Sequence, residues 1–107
     1  MLNQVDINNI KDKPIPKQQL LIGGNWINSL SGKSQNVISP INGSVLTSIQ
    51  TAEIEDVNKA VESCKKTFEK GDWATMSPID RKNILFKIAN LIEDNMLELA
   101  VLGVRDN

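Results

Sequence analysis

The feature that most constrains this chain is a change of hydrophobic period near residue 53. Up to Gln50, apolar residues come in short Val-, Ile- and Leu-rich runs separated by turn-forming clusters; beyond Glu53 they recur every three or four positions. Alternation suits half-buried strands and a repeat near 3.6 suits amphipathic helices. Strands therefore come first and helices after, which makes this stretch α+β when taken by itself.

With 107 residues, 40% of them hydrophobic and 23% charged, the chain has the size and composition of one globular domain. Twelve Lys and Arg against thirteen Asp and Glu leave a formal charge of -1. That balance offers no electrostatic footprint for nucleic acid or an anionic membrane. Histidine is absent and cysteine occurs once, which excludes zinc fingers, histidine-based triads and an internal disulfide framework.

Pro14 and Pro16 hold their neighbours extended and remove two backbone donors, so residues 1–18 read as an extended N-terminal arm. Leu20-Leu21-Ile22 and Asn25-Trp26-Ile27-Asn28 flank Gly23-Gly24, a hairpin pattern. A second pair of strands is expected at Gln35–Ser39 and Ser44–Gln50, joined through Pro40-Ile41-Asn42-Gly43. The stripe Ile54, Val57, Val61, Cys64 and Phe68 predicts a helix over 53–70, with acidic residues at its start, lysines at its end and Gly71 beyond. Ser77-Pro78 with Asp80 opens a second helix whose stripe is Ile84, Leu85, Ile88, Leu91 and Ile92. Leu97, Ala100, Val101 and Val104 begin a third. Ordering so many residues costs on the order of 150 kcal/mol against roughly 1.5–3 kcal/mol per buried large apolar side chain. With Trp26, Trp73, Phe68 and Phe86 as the only aromatics, much of the apolar partner these helices need is expected to lie outside the chain.

The polar start carries no export pattern, no run reaches the roughly 20 apolar residues of a spanning helix, and one cysteine suits a reducing compartment. The expected location is cytoplasmic. Gly32-Lys33-Ser34 matches the tail of a phosphate-binding loop, but the first glycine of that motif would fall at Ile27 and a strand follows. An exposed turn is the better reading. Cys64, on an apolar helical stripe with no histidine to activate it, reads as a packed core residue. Glu93-Asp94 and the Glu53, Glu55, Asp56 cluster sit at helix ends, where solvated or capping roles prevail over acid–base chemistry. No catalytic and no cofactor-binding residue is assigned.

The order of motifs nonetheless resembles one family. Leu21-Ile22-Gly23-Gly24-Asn25-Trp26, Ser31-Gly32-Lys33 and Ser39-Pro40-Ile41-Asn42-Gly43-Ser44-Val45 are followed by Asp56-Val57-x-x-Ala60-Val61, Phe68-x-x-Gly71-x-Trp73, Ser77-Pro78-x-x-Arg81 and Leu91-Ile92-Glu93. This series resembles the N-terminal region of NAD(P)-dependent aldehyde dehydrogenases. Ser39 stands where the family usually has Asn, and the likeness runs over about residues 20–107, to Arg105-Asp106-Asn107.

The resemblance implies that residues 19–107 are the N-terminal portion of a Rossmann-like α/β cofactor-binding domain, here short β-hairpins followed by three helices. It implies an enzyme that oxidises an aldehyde to a carboxylic acid with NAD or NADP. The family's nucleophilic cysteine, general base and nucleotide-binding helix match no position here, so the piece is expected to be inactive and to bind no cofactor alone. Expected partners are the remainder of the enzyme and, through it, a homodimer or homotetramer. Some members hold a structural monovalent cation on main-chain oxygens, near positions matching Val37 and Ile38 and an aspartate matching Asp106, although Asp106 as an ordinary helix-end residue is the favoured reading. The rival expectations are an independent α+β interaction module without catalysis and, less favoured, a redox module acting through Cys64.

Overall fold

A computed structural model describes residues 3–107. The segment expected to be an extended arm begins with a helix, α1 (Gln4–Ile10). Its cap explains the difference: the Asn3 side chain accepts the Asp6 amide at 2.9 Å, and Gln4 donates to Asn8 one turn on at 3.1 Å. These local bonds act upstream of the prolines, whose restriction reaches back only one residue. Lys13 to Lys17 forms no helix or strand. It is nevertheless tied down, because Thr47 donates its hydroxyl to the Pro16 carbonyl at 2.8 Å and Arg105 Nη1 donates to the Lys13 carbonyl at 2.7 Å.

Strands β1 (Leu20–Ile22) and β2 (Asn25–Ile27) form an antiparallel hairpin with Ile22 opposite Asn25. The two-residue turn requires positive φ at both central positions, and Gly23 and Gly24 supply 61° and 78°. A Cβ on Gly23 would come within 3.2 Å of Ser63 Oγ, so the turn abuts the helix that follows. Strands β3 (Ser34–Ile38) and β4 (Val45–Gln50) pair antiparallel in a second, separate sheet. Val37 faces Thr47 and Ile38 faces Val45, which leaves Leu46 as the extra residue of a bulge in β4. Gln18 adds a parallel bridge to Ile49, donating to the Ser48 carbonyl and accepting from the Gln50 amide at 2.9 and 3.1 Å.

The helices are α2 (Ile54–Lys70), the single turn α3 (Asp72–Thr75), α4 (Pro78–Asp94) and α5 (Met96–Asp106). Ser77 caps α4, accepting the Asp80 amide at 3.1 Å, with Pro78 in the first turn as its fixed φ favours. Asn95 breaks α4 from α5, its amide donating back to the Leu91 carbonyl at 3.1 Å.

Among the described residues no apolar side chain is buried; the buried residues are Ser29, Ser39 and Asp56. The body measures 45 × 40 × 17 Å with a radius of gyration of 17.8 Å, against about 13 Å for a compact domain of this length. Its accessible surface of 8613 Å² exceeds by roughly 2,700 Å² the value of about 5,900 Å² for a folded monomer of this mass. The expectation of an insufficient internal core is thus met in a strong form. Cys64, read from the sequence as packed, is exposed; the face of α2 that carries it has a helical stripe but no partner among the described residues.

Candidate functional site

The most constrained cluster lies where the β2–β3 loop meets the start of α2. Asp56, in the first turn of α2, is 1% exposed. Its Oδ2 accepts the Glu53 amide at 3.0 Å, a capping bond and so one of the two roles, solvated or capping, expected of this cluster. The same carboxylate accepts the Leu30 amide, at 3.3 Å to Oδ1 and 3.2 Å to Oδ2, which ties α2 to a loop 26 residues earlier. Beside it, the Gln50 amide oxygen accepts both the amide of Ser29, at 3.0 Å, and its hydroxyl, at 3.1 Å. Thr51 closes the end of the second sheet by donating to the Lys33 carbonyl at 2.9 Å. Lys33 Nζ pairs with Glu53 Oε1 at 3.3 Å, a largely exposed contact of small energetic weight.

This clasp is structural in its chemistry. A carboxylate enclosed at 1% exposure, with its oxygens engaged by main-chain donors, presents nothing to a substrate. The capping reading of Asp56 holds; its link to Leu30 and the neighbouring Ser29–Gln50 pair were not foreseen. The only trace of them in the sequence is the polar break at Ser29 to Ser34, which marks a loop without saying where its amides go.

Gly32-Lys33-Ser34 forms the exposed turn expected of it, with φ of 65° at Gly32 and β3 beginning at Ser34. The fit to a dinucleotide can be tested at the helix starts, where free amides and the helix dipole would receive phosphate. Each helix carries an acid in its first turn: Asp6, then Glu55 with Asp56, then Asp72, Asp80 and Glu98. An acid in the first turn opposes phosphate at each of these starts.

The three residues suggested for a monovalent cation occupy two elements. Val37 and Ile38 end β3 opposite the Leu46 bulge, Val37 partly buried and Ile38 half exposed. Asp106 is exposed in the last turn of α5. Their chain neighbours Ser39 and Arg105 share the wall of one groove, together with Ile41, Leu46 and Val101. Among the described residues no group of three or more His, Cys, Asp or Glu gathers to hold a metal ion. Glu93 and Asp94, the other carboxylate pair, are both exposed at the end of α4.

A family model described as the aldehyde dehydrogenase family matches residues 26–107. The chain belongs to the aldehyde dehydrogenase family. A phenylacetaldehyde dehydrogenase of Pseudomonas fluorescens is 43% identical over 89 residues, 83% of this chain and 18% of that protein. A cytosolic 10-formyltetrahydrofolate dehydrogenase of Xenopus laevis is 38% identical over 102 residues, 95% of this chain and 11% of that protein. Among solved structures, the NAD+ complex of an aldehyde dehydrogenase from Bacillus cereus superposes with a TM-score of 0.81 at 29% identity, over the whole of this chain and 21% of that one. The chain thus spans between a tenth and about a fifth of these aldehyde dehydrogenases. Its mixed strands and helices agree with the α/β class read from the sequence.

Proposed function

We propose that this chain is a structural part of a cytoplasmic NAD(P)-dependent dehydrogenase that oxidises an aldehyde to a carboxylic acid, and that it carries no catalytic residue of its own. The observation that carries this reading is the missing interior: no apolar side chain is buried among the described residues, while large ones stand exposed along α2, α4 and α5. Family membership supplies the general reaction, and the printed names of the relatives, among them an NAD+ complex and a cytosolic enzyme, support the cofactor and the compartment. When bound to the whole enzyme, the nicotinamide would accept the hydride that leaves the substrate.

The task of these residues is then to set faces. The Asp56 clasp holds the β2–β3 loop on α2, and the Gly23-Gly24 turn lies against Ser63. The apolar stripes of α2 and α4 are thereby presented to the nucleotide-binding body, which we take to be the rest of an enzyme assembled as a homodimer or homotetramer. Val37, Ile38 and Asp106 are proposed to border a monovalent cation through main-chain oxygens in that assembly.

The test combines the purified chain with phenylacetaldehyde and either nicotinamide cofactor, following reduced nicotinamide by absorbance. No turnover is expected alone. Coexpression with the Pseudomonas fluorescens enzyme lacking its matching region is expected to restore activity to that enzyme. Turnover by the isolated chain overturns the absence of catalytic residues. Cooperative unfolding of the chain alone, with no restoration of the truncated enzyme, favours the independent α+β interaction module.

A further inference from the structure

Asn42-Gly43 is the one Asn-Gly pair in the chain, and it lies in the β3–β4 connection with both residues exposed. Asparagine before glycine is the pair most open to spontaneous ring closure, because a following residue without Cβ lets its amide nitrogen approach the asparagine side chain unhindered. Nothing in the proposed enzymatic role uses this pair.

The turn treats the two reacting groups differently. The Asn42 side-chain oxygen accepts the Ser44 amide at 3.0 Å, a local bond of the kind Asn makes in turns. A bond to that oxygen draws electrons from Cγ and leaves it more open to attack. The nucleophile is held back. The Gly43 amide donates to the Ser39 carbonyl at 2.9 Å, so the proton it would have to lose is engaged and its nitrogen cannot turn toward Cγ without breaking that bond. Ser39 is itself fixed: it is 4% exposed, its amide donates to the Ser44 carbonyl at 2.8 Å, and its hydroxyl accepts the Ile41 amide at 3.2 Å. With φ of 71°, Gly43 rests in a conformation that glycine adopts freely.

We infer that Asn42 is a site of spontaneous deamidation that Ser39 keeps closed, and that it reacts when the turn opens. In the open turn the Gly43 nitrogen gives up its proton and bonds to Asn42 Cγ, the Cγ–Nδ2 bond breaks, and the side-chain nitrogen leaves with a proton as ammonia. Water then adds to either carbonyl of the cyclic imide and breaks one of its C–N bonds, giving aspartate or isoaspartate. No electrons are exchanged, and water is the sole co-reactant. Either product adds a negative charge. Isoaspartate also routes the main chain through the side-chain carbon, which lengthens it and takes Gly43 out of register with Ser39. Every bond invoked lies between Ser39 and Ser44, so the inference needs no surface beyond this chain and holds or fails apart from the enzymatic role.

The 107-residue chain and a peptide of residues 40–46, which lacks Ser39, are kept in the same neutral buffer for the test. Mass spectrometry of proteolytic fragments follows the exchange of the side-chain amino group for hydroxyl at Asn42. Deamidation is expected in the peptide and at least roughly fivefold more slowly in the chain, the ratio that one hydrogen bond of ordinary net strength sustains. Denaturant should bring the chain to the rate of the peptide. Ser39→Ala removes the bond to the Ile41 amide and is expected to raise the rate in the chain severalfold, with hydrogen exchange at the Gly43 amide rising alongside. Should that variant lose the β3–β4 pairing altogether, the unaltered chain against the peptide still decides. Equal rates in chain and peptide overturn the inference. So does a Ser39→Ala chain whose Gly43 amide exchanges faster while Asn42 deamidates no faster.

Discussion

The two halves of this molecule are held by different forces. In the strand half and at its junction with α2, order comes from hydrogen bonds: among the described residues the buried ones are Ser29, Ser39 and Asp56, and no buried side-chain polar atom among them lacks a partner. In the helical half, α4 meets little besides α5, and Leu85, Phe86, Leu91 and Ile92 all remain more than half exposed. A hydrogen bond is complete once its two groups meet, whereas an apolar face is stabilised only when something removes it from water. The first half can take shape from its own residues. The second keeps its helices but not their burial.

That contrast can be broken most directly at Asp56. Asp56→Ala removes the acceptor for the Leu30 and Glu53 amides and should cost about 3 kcal/mol, the range for buried bonds to a charged group. Hydrogen exchange should show those two amides losing protection while α4 is unchanged; equal loss in both halves would mean that the halves are not separately held. Gly24→Val forces an L side chain into φ of 78° with nothing within 4 Å to relieve or worsen it. The cost should be the backbone term alone, about 1–2 kcal/mol, read as a lower denaturation midpoint. Ser77→Ala removes the cap of α4 and should lower stability by about 1 kcal/mol, visible as reduced helicity by circular dichroism. Phe68→Ala is the sharpest contrast because its effect should be the smallest. At 83% exposure the change should stay within about 0.5 kcal/mol in the isolated chain, against about 3–5 kcal/mol for a packed phenylalanine. A large loss on Phe68→Ala would place an unrecognised core on α2.

The elements with a clear period were legible in the residues. Both hairpins, the Gly23-Gly24 and Asn42-Gly43 turns, and the helices beginning at Ile54 and Pro78 fall within a residue or two of their expected limits. What escaped was short or long-range. Helix α1 has seven residues, rich in Asn, and α3 is one turn, so neither spans enough of a helical repeat to show. Glu53, Glu55 and Asp56 were legible as acids at a helix start; no local pattern reveals that Leu30 would fold back onto the Asp56 carboxylate. Cys64 failed for the opposite reason: its stripe was read correctly, but a stripe says which side wants cover and not whether cover is present in the same chain.

The 17 Å depth of the body has a consequence of its own. A helix with its side chains is already about 10–12 Å across, so a slab of this depth has two skins and almost nothing between them. In such a lamina the side chains of the described residues lie on one skin or the other, so whatever dryness they gain has to come from what is laid against them.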